Sequence, residues 1–193
     1  MPNYKPLFKK NLLMMIILVF FILVVILFIN FLYDKKSPSV SLGGSFILTD
    51  QNGEIFNSGK VNLKKLIYFG YTYCPDVCPF DLLKISKIFE NNPNLKSEIK
   101  PVFITVDPER DTIKNLKIFM ENFDQSFVAL TGTNEEIKKV LKKFRIYVKL
   151  NKSNLADKDY LIDHSSLIFL LDKNDNYIKF FRPNELKGNI ALN

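Results

Sequence analysis

From Asn11 to Tyr33 the chain reads NLLMMIILVFFILVVILFINFLY, 23 residues without a charged side chain. At about 1.5 Å per helical residue such a run crosses the ~30 Å hydrocarbon core of a bilayer, and it is too long and too apolar for an ordinary core helix. A cleaved signal peptide would carry a shorter apolar region, roughly 7–15 residues, ending at small residues. Here the nearest small residues, Ser37, Ser39 and Ser41, lie beyond the charged Asp34-Lys35-Lys36. The expectation is an uncleaved transmembrane anchor. Lys5, Lys9 and Lys10 precede it with no acidic residue among them, while Asp34 offsets the lysines that follow. The positive-inside rule then puts the N-terminus on the cytoplasmic side. A single-pass inner-membrane protein is expected, its domain on the periplasmic or equivalent outer side, where disulfides can form.

These boundaries divide the chain into a basic tail (1–10), an anchor (11–33), a Ser-, Pro- and Gly-containing linker (34–44) and one folded domain (45–193), long enough for a sizeable core. The net charge of +7 falls to +4 once the three lysines ahead of the anchor are set aside, leaving 24 basic against 20 acidic residues. With no Arg-rich tract and no recognition motif, nucleic acid is not an expected partner.

Within the domain, SFILTDQNGEIF reads as two strands around Asn52-Gly53, a hairpin signal because both residues accept positive φ. LKKLIYFGY and PVFITVD are apolar runs of strand length, buried on both faces. PFDLLKISKIFE carries Leu82, Ile85 and Phe89 at helical spacing. DTIKNLKIFMENF sets Ile113, Leu116, Phe119, Met120 and Phe123 on one face, and NEEIKKVLKKF does so with Ile137, Val140, Leu141 and Phe144. A strand near SFVAL lies between these helices, and YLIDHSSLIFLLDKNDNYIKFF suggests two strands joined by a polar turn at 172–176. The expected class is α/β, a central mixed sheet with helices packed on it.

Both cysteines, Cys74 and Cys78, stand in YFGYTYCPDVCPF. Pro79 belongs in the first turn of a helix and not in its interior, so the helix starts close to Cys78. The thiols then lie on a strand-to-helix loop and the first turn, where unpaired N–H groups and the helix dipole favour thiolate. Three uses are open. A staple is sterically feasible, with Cα atoms ~6 Å apart, but so short a loop constrains the unfolded chain little. A redox pair is the second use, although thioredoxin-type motifs are C-x-x-C and this one is C-x-x-x-C. A metal site is the third.

His164 is the only histidine. It precedes an apolar strand, and its neighbours Asp163 and Ser165 could orient the imidazole. Met120 is already committed to a helical apolar face, so the soft donors are Cys74, Cys78 and His164. Three suit a three-coordinate copper(I) ion, whereas a closed structural zinc site wants four, which Asp163 or an outside ligand would have to complete.

Four blocks together resemble the Sco/SenC family of membrane-anchored copper-binding proteins that assist cytochrome c oxidase assembly: GGSFILTDQNGEIF, YFGYTYCPDVCP, VFITVDPERDT and YLIDHSSLIFLLD. The likeness runs from Gly43 to about Phe181. It implies a thioredoxin-like fold of the peroxiredoxin-type variant, copper held by Cys74, Cys78 and His164, and delivery of copper to cytochrome c oxidase subunit II or another copper-accepting protein. The chain is expected to be a metallochaperone. A thiol-disulfide oxidoreductase using Cys74 and Cys78 is the alternative, and a thiol peroxidase drawing on Thr72 with Arg110 or Arg145 is a weaker one. In VFITVDPERDT, Asp107-Pro108 reads chiefly as a turn and Asp111 or Thr112 as a helix N-cap, with an electrostatic role for Asp107 or Asp111 near the site as the lesser reading.

Overall fold

The computed structural model describes residues 5–34, 42–151 and 160–186. Most of the expected linker and the last seven residues lie outside these ranges. The chain forms two compact units, 1–40 and 41–193.

The first unit is one helix, α1 (Lys5–Asp34), whose Leu12–Asn30 stretch is long and apolar enough to cross a membrane. Every described side chain from Leu12 to Ile29 is apolar.

The second unit is built on a mixed seven-stranded sheet of order β2-β1-β5-β4-β3-β8-β9, from β1 (Ile47–Asp50), β2 (Ile55–Asn57), β3 (Lys64–Gly70), β4 (Ile99–Thr105), β5 (Val128–Thr131), β8 (Ile168–Leu171) and β9 (Tyr177–Phe181). β3, β4 and β5 run parallel, and the flanking pairings are antiparallel. Central β3 and β4 read as continuous apolar runs because both of their faces are covered. Successive side chains point to opposite faces. Phe69 therefore meets Phe144 and Phe169 at ring-centroid distances of 5.2 and 5.9 Å, while Tyr68 meets Phe103, which in turn meets Phe119 at 5.8 Å. The Phe144 side is closed by α4 (Asn134–Phe144) and the Phe119 side by α3 (Ile113–Met120).

The helices start where their caps put them. Thr133 forms a capping box with Glu136, and Thr112 accepts the Asn115 N–H to open α3. On α3, Leu116 and Met120 are buried as expected, as is Phe123 just beyond the helix, but Ile113 in the first turn is exposed. The hairpin at Asn52-Gly53 is present with a different turn: only Gly53 has positive φ (+85°). The loop is held by Asp50, whose carboxylate accepts the N–H groups of Asn52 and Glu54.

The C-terminal region departs further from the expectation of two strands. The turn at 172–176 does join β8 and β9, but YLIDH is a separate strand, β7 (Leu161–His164). It pairs with β6 (Val148–Asn151) in a two-stranded ribbon outside the main sheet.

Candidate metal centre

The cysteines sit where β3 gives way to α2 (Val77–Asn91), with Cys74 on the loop and Cys78 in the first turn. Asp76, at the N-cap position, makes no side-chain capping bond; the sulfur of Cys74 accepts the Cys78 N–H instead, at 3.5 Å. Both thiols are free. Gly70 makes room for this turn: a methyl group there would lie 3.0 Å from Cys78 Sγ, 3.0 Å from the Phe103 ring and 3.1 Å from the Tyr68 ring.

The two sulfurs have opposite acidities. Cys74 is pulled down to about 5, first by the hydrogen bond from the Cys78 thiol and then by the Cys78 and Asp76 N–H groups, against partial burial. Cys78, fully buried, is pushed well above the thiol range by giving that hydrogen bond to Cys74 and by desolvation. The arrangement is a thiolate at the surface with a protonated thiol behind it. Beneath Cys78, the Tyr68 hydroxyl donates to Asp81 Oδ2 at 3.0 Å. Burial raises both Tyr68 and Asp81.

His164, at the end of β7, places Nε2 3.4 Å from Cys78 Sγ. Its Nδ1 lies 3.2 Å from the Ser165 carbonyl, which can only accept, so Nδ1 carries a proton, and in the neutral ring the Nε2 lone pair faces the sulfur. The Tyr71 ring packs edge-on against the imidazole at 5.9 Å. Of the two expected orienting neighbours, Asp163 is exposed; the orienting atom is the backbone oxygen of Ser165, whose hydroxyl accepts the Tyr147 N–H. Met120 is buried in the α3 face, as its spacing predicts. Among the described residues no group of three His, Cys, Asp or Glu side chains is placed to hold a metal ion as it stands. Cys78 and His164 are the near pair, and Cys74 is the remaining arm.

Sequence reasoning missed Gly70, Tyr68 and Asp81. Asp81 did carry a signal, because it falls on the stripe of Cys78, Leu82 and Ile85 where an apolar residue is due.

Residues 34–192 match the SCO1/SenC family. The chain belongs to that family. An SCO2-like protein of Rickettsia prowazekii is 49% identical over 152 residues, covering 78% of this chain and 72% of the relative. Among solved structures, Bradyrhizobium japonicum ScoI with copper bound is 38% identical with a TM-score of 0.69, covering 74% of this chain and 90% of that one. Yeast Sco1 with copper bound is 36% identical with a TM-score of 0.67, covering 75% and 81%. The fold of this Sco chain is accordingly the thioredoxin-like one expected for the family.

Proposed function

We infer that this Sco chain binds copper through Cys74, Cys78 and His164 and passes it to the copper centre of cytochrome c oxidase subunit II during oxidase assembly. The observation that carries the reading is the 3.4 Å approach of His164 Nε2 to Cys78 Sγ beside the Cys74 thiolate. Two donors held roughly 2.0–2.3 Å from one ion lie about 3.4–3.7 Å apart across a tetrahedral or trigonal angle. Thiolate and imidazole are the donors a soft ion selects. The copper-bound relatives at 38% and 36% identity support the same assignment.

Each donor has its own part. Cys74 is already ionised at neutral pH and partly exposed, so it makes the first and last contact with the ion. Cys78 gives up its proton on binding, which couples uptake to proton release. The imidazole already presents a lone pair. Handover proceeds by exchange, with acceptor thiolates replacing the donors one at a time. Tyr73, Val77 and Phe80 are exposed around the cysteine turn, an apolar rim suited to a protein acceptor. The anchor, linker and domain are assigned to residues 11–33, 34–44 and 45–193, with the domain on the outer side of the inner membrane, as the lysine asymmetry supports.

Copper(I) titration of the full chain in detergent against a competing chelator tests this. One equivalent should bind, and His164→Ala should weaken binding at least tenfold. No uptake, or uptake indifferent to His164→Ala, overturns it.

The contrast between Cys74 and Cys78 favours a second reading, a thiol-disulfide oxidoreductase. Cys74 would attack a partner disulfide, releasing one partner thiolate, and Cys78 would attack the mixed disulfide, releasing the other and leaving Cys74–Cys78 oxidised. Equal exchange rates for wild type and His164→Ala with an oxidised subunit II peptide, alongside absent copper uptake, would favour it.

A further inference from the structure

The turn after β4, Asp107-Pro108-Glu109-Arg110-Asp111-Thr112, holds neither thiol nor imidazole, yet it is bonded to both segments that do. The turn is closed on itself: Asp107 N–H donates to Thr105 Oγ1 at 2.9 Å and Asp111 N–H to the Asp107 carbonyl at 2.9 Å. Capping of α3 uses only Thr112. The side chains of Arg110 and Asp111 are spent elsewhere.

Asp111 is fully buried and reaches the cysteine loop. Its carboxylate accepts the Thr72 N–H at 3.1 and 3.2 Å, the Thr72 hydroxyl at 2.6 Å and the Thr105 hydroxyl at 2.5 Å. Thr72 is two residues from Cys74, and the Cys74 N–H donates to the Tyr71 carbonyl at 3.2 Å, so the loop is pinned just ahead of its first sulfur.

Arg110 reaches the other way. Its Nε pairs with Asp107 Oδ2, and Nη1 donates to the Tyr160 carbonyl at 2.9 Å. The guanidinium lies 3.5 Å from the centre of the Tyr160 ring and 4.9 Å from that of Tyr73. The Tyr160 hydroxyl donates to Asp107 Oδ1 at 2.8 Å. Tyr160 is thus fixed at its carbonyl, ring and hydroxyl, one residue before the four-residue strand that ends in His164. Carbonyl and ring cannot both be held by a lysine, which lacks the planar fork.

We propose that this turn is a two-armed bracket in which Asp111 positions the cysteine loop and Arg110 positions the histidine strand, setting the sulfur-to-nitrogen distance of the site. Neither residue touches the ion. The bracket deepens the copper reading and rests on it for its function, while the positioning itself is a property of the metal-free chain.

Amide hydrogen exchange on the metal-free full chain in detergent, with its thermal midpoint, tests the positioning. Arg110→Lys should speed exchange tenfold or more at Leu161–His164 and clearly less at Tyr71–Cys74, which the guanidinium meets through the Tyr71 and Tyr73 rings; Asp111→Asn should do the reverse. Thr72→Val cuts the same arm as Asp111→Asn from its other end and replaces it if that variant does not fold. Equal loosening of both arms, or of neither, overturns the bracket. Removal of such supporting residues typically weakens metal binding about 10–100-fold. Copper(I) affinity should fall in that range for each variant. Arg110→Lys should be non-additive with His164→Ala, and Asp111→Asn additive with it. Nitrogen coupling in the copper(II) electron paramagnetic resonance spectrum should weaken in Arg110→Lys alone. Loosened arms with unchanged affinity and spectrum also overturn the proposal. If wild type takes up no copper, the metal reading falls and the exchange data alone decide the bracket.

Discussion

The two ends of β3 treat buried polar groups in opposite ways. At the start of the strand, Lys65 is fully buried, and its ammonium is matched: Asp175 lies at 2.8 Å, the Lys173 carbonyl accepts at 2.9 Å, and Ser58 donates to Asp175 at 2.7 Å. At the far end, beyond Gly70, the groups are mismatched: a thiolate sits against a thiol and an imidazole lone pair, above a carboxyl and a phenol that burial disfavours as ions. The first end closes the fold. The second brings two sulfurs and an imidazole together, donors of the kind a soft ion selects.

The most disruptive way to break this contrast is to unbalance the closed end. Lys65→Ala leaves Asp175 buried and unpaired, and should cost about 3–5 kcal/mol in denaturant unfolding of the full chain. Replacing both partners by apolar residues of similar volume should return most of that. A double variant as unstable as the single one would mean that the ion pair is not the reason Lys65 sits inside.

Next comes Asp111, which burial pushes up to about 6 against its hydrogen bonds from Thr105 and Thr72. A carboxyl raised in the folded state favours folding while protonated, so its contribution is present near pH 4 and lost as pH rises through about 6. At roughly 1.4 kcal/mol per unit over about two units, the loss is about 3 kcal/mol. Asp111→Asn should therefore improve relative to wild type as pH rises from 4 to 7, measured by unfolding at each pH. A constant difference would show that this carboxyl titrates as it does unfolded.

Smaller again is Gly70→Ala, whose methyl must displace Cys78 Sγ and two rings. A cost of about 1–3 kcal/mol is expected, with altered copper affinity. His164→Ala sharpens the contrast from the other side. Its partners are a thiol and a carbonyl at the surface of the core, so stability should move by no more than ~0.5 kcal/mol while copper binding falls. A large loss of stability would make His164 a structural residue.

Much of this was legible because it is local. Pro79 set the start of α2, apolar runs marked β3 and β4, and two motif blocks held all three soft donors. What was not legible depends on partners far along the chain. Nothing in LKKLIYFGY names a partner for Lys65, which is Asp175, 110 residues later. β6 is four residues of mixed polarity, recognisable only by the strand it pairs with. Arg110 and Asp111 sit in a stretch that local reasoning explains as a turn and a cap. Only the fold shows that their side chains leave the turn in two directions.

β3 and β4 run in register from Lys64 opposite Ile99 to Gly70 opposite Thr105. They end level, and the cysteine loop and the Asp107–Thr112 turn depart side by side. A residue inserted into either strand would turn everything after it to the opposite face of the sheet. The strand from Lys64 to Gly70 is therefore locked in length, whereas an insertion in the 51–54 turn leaves the register of β3 and β4 untouched. Among descendants of this chain, insertions should accumulate in that turn and be absent between the buried lysine and Gly70.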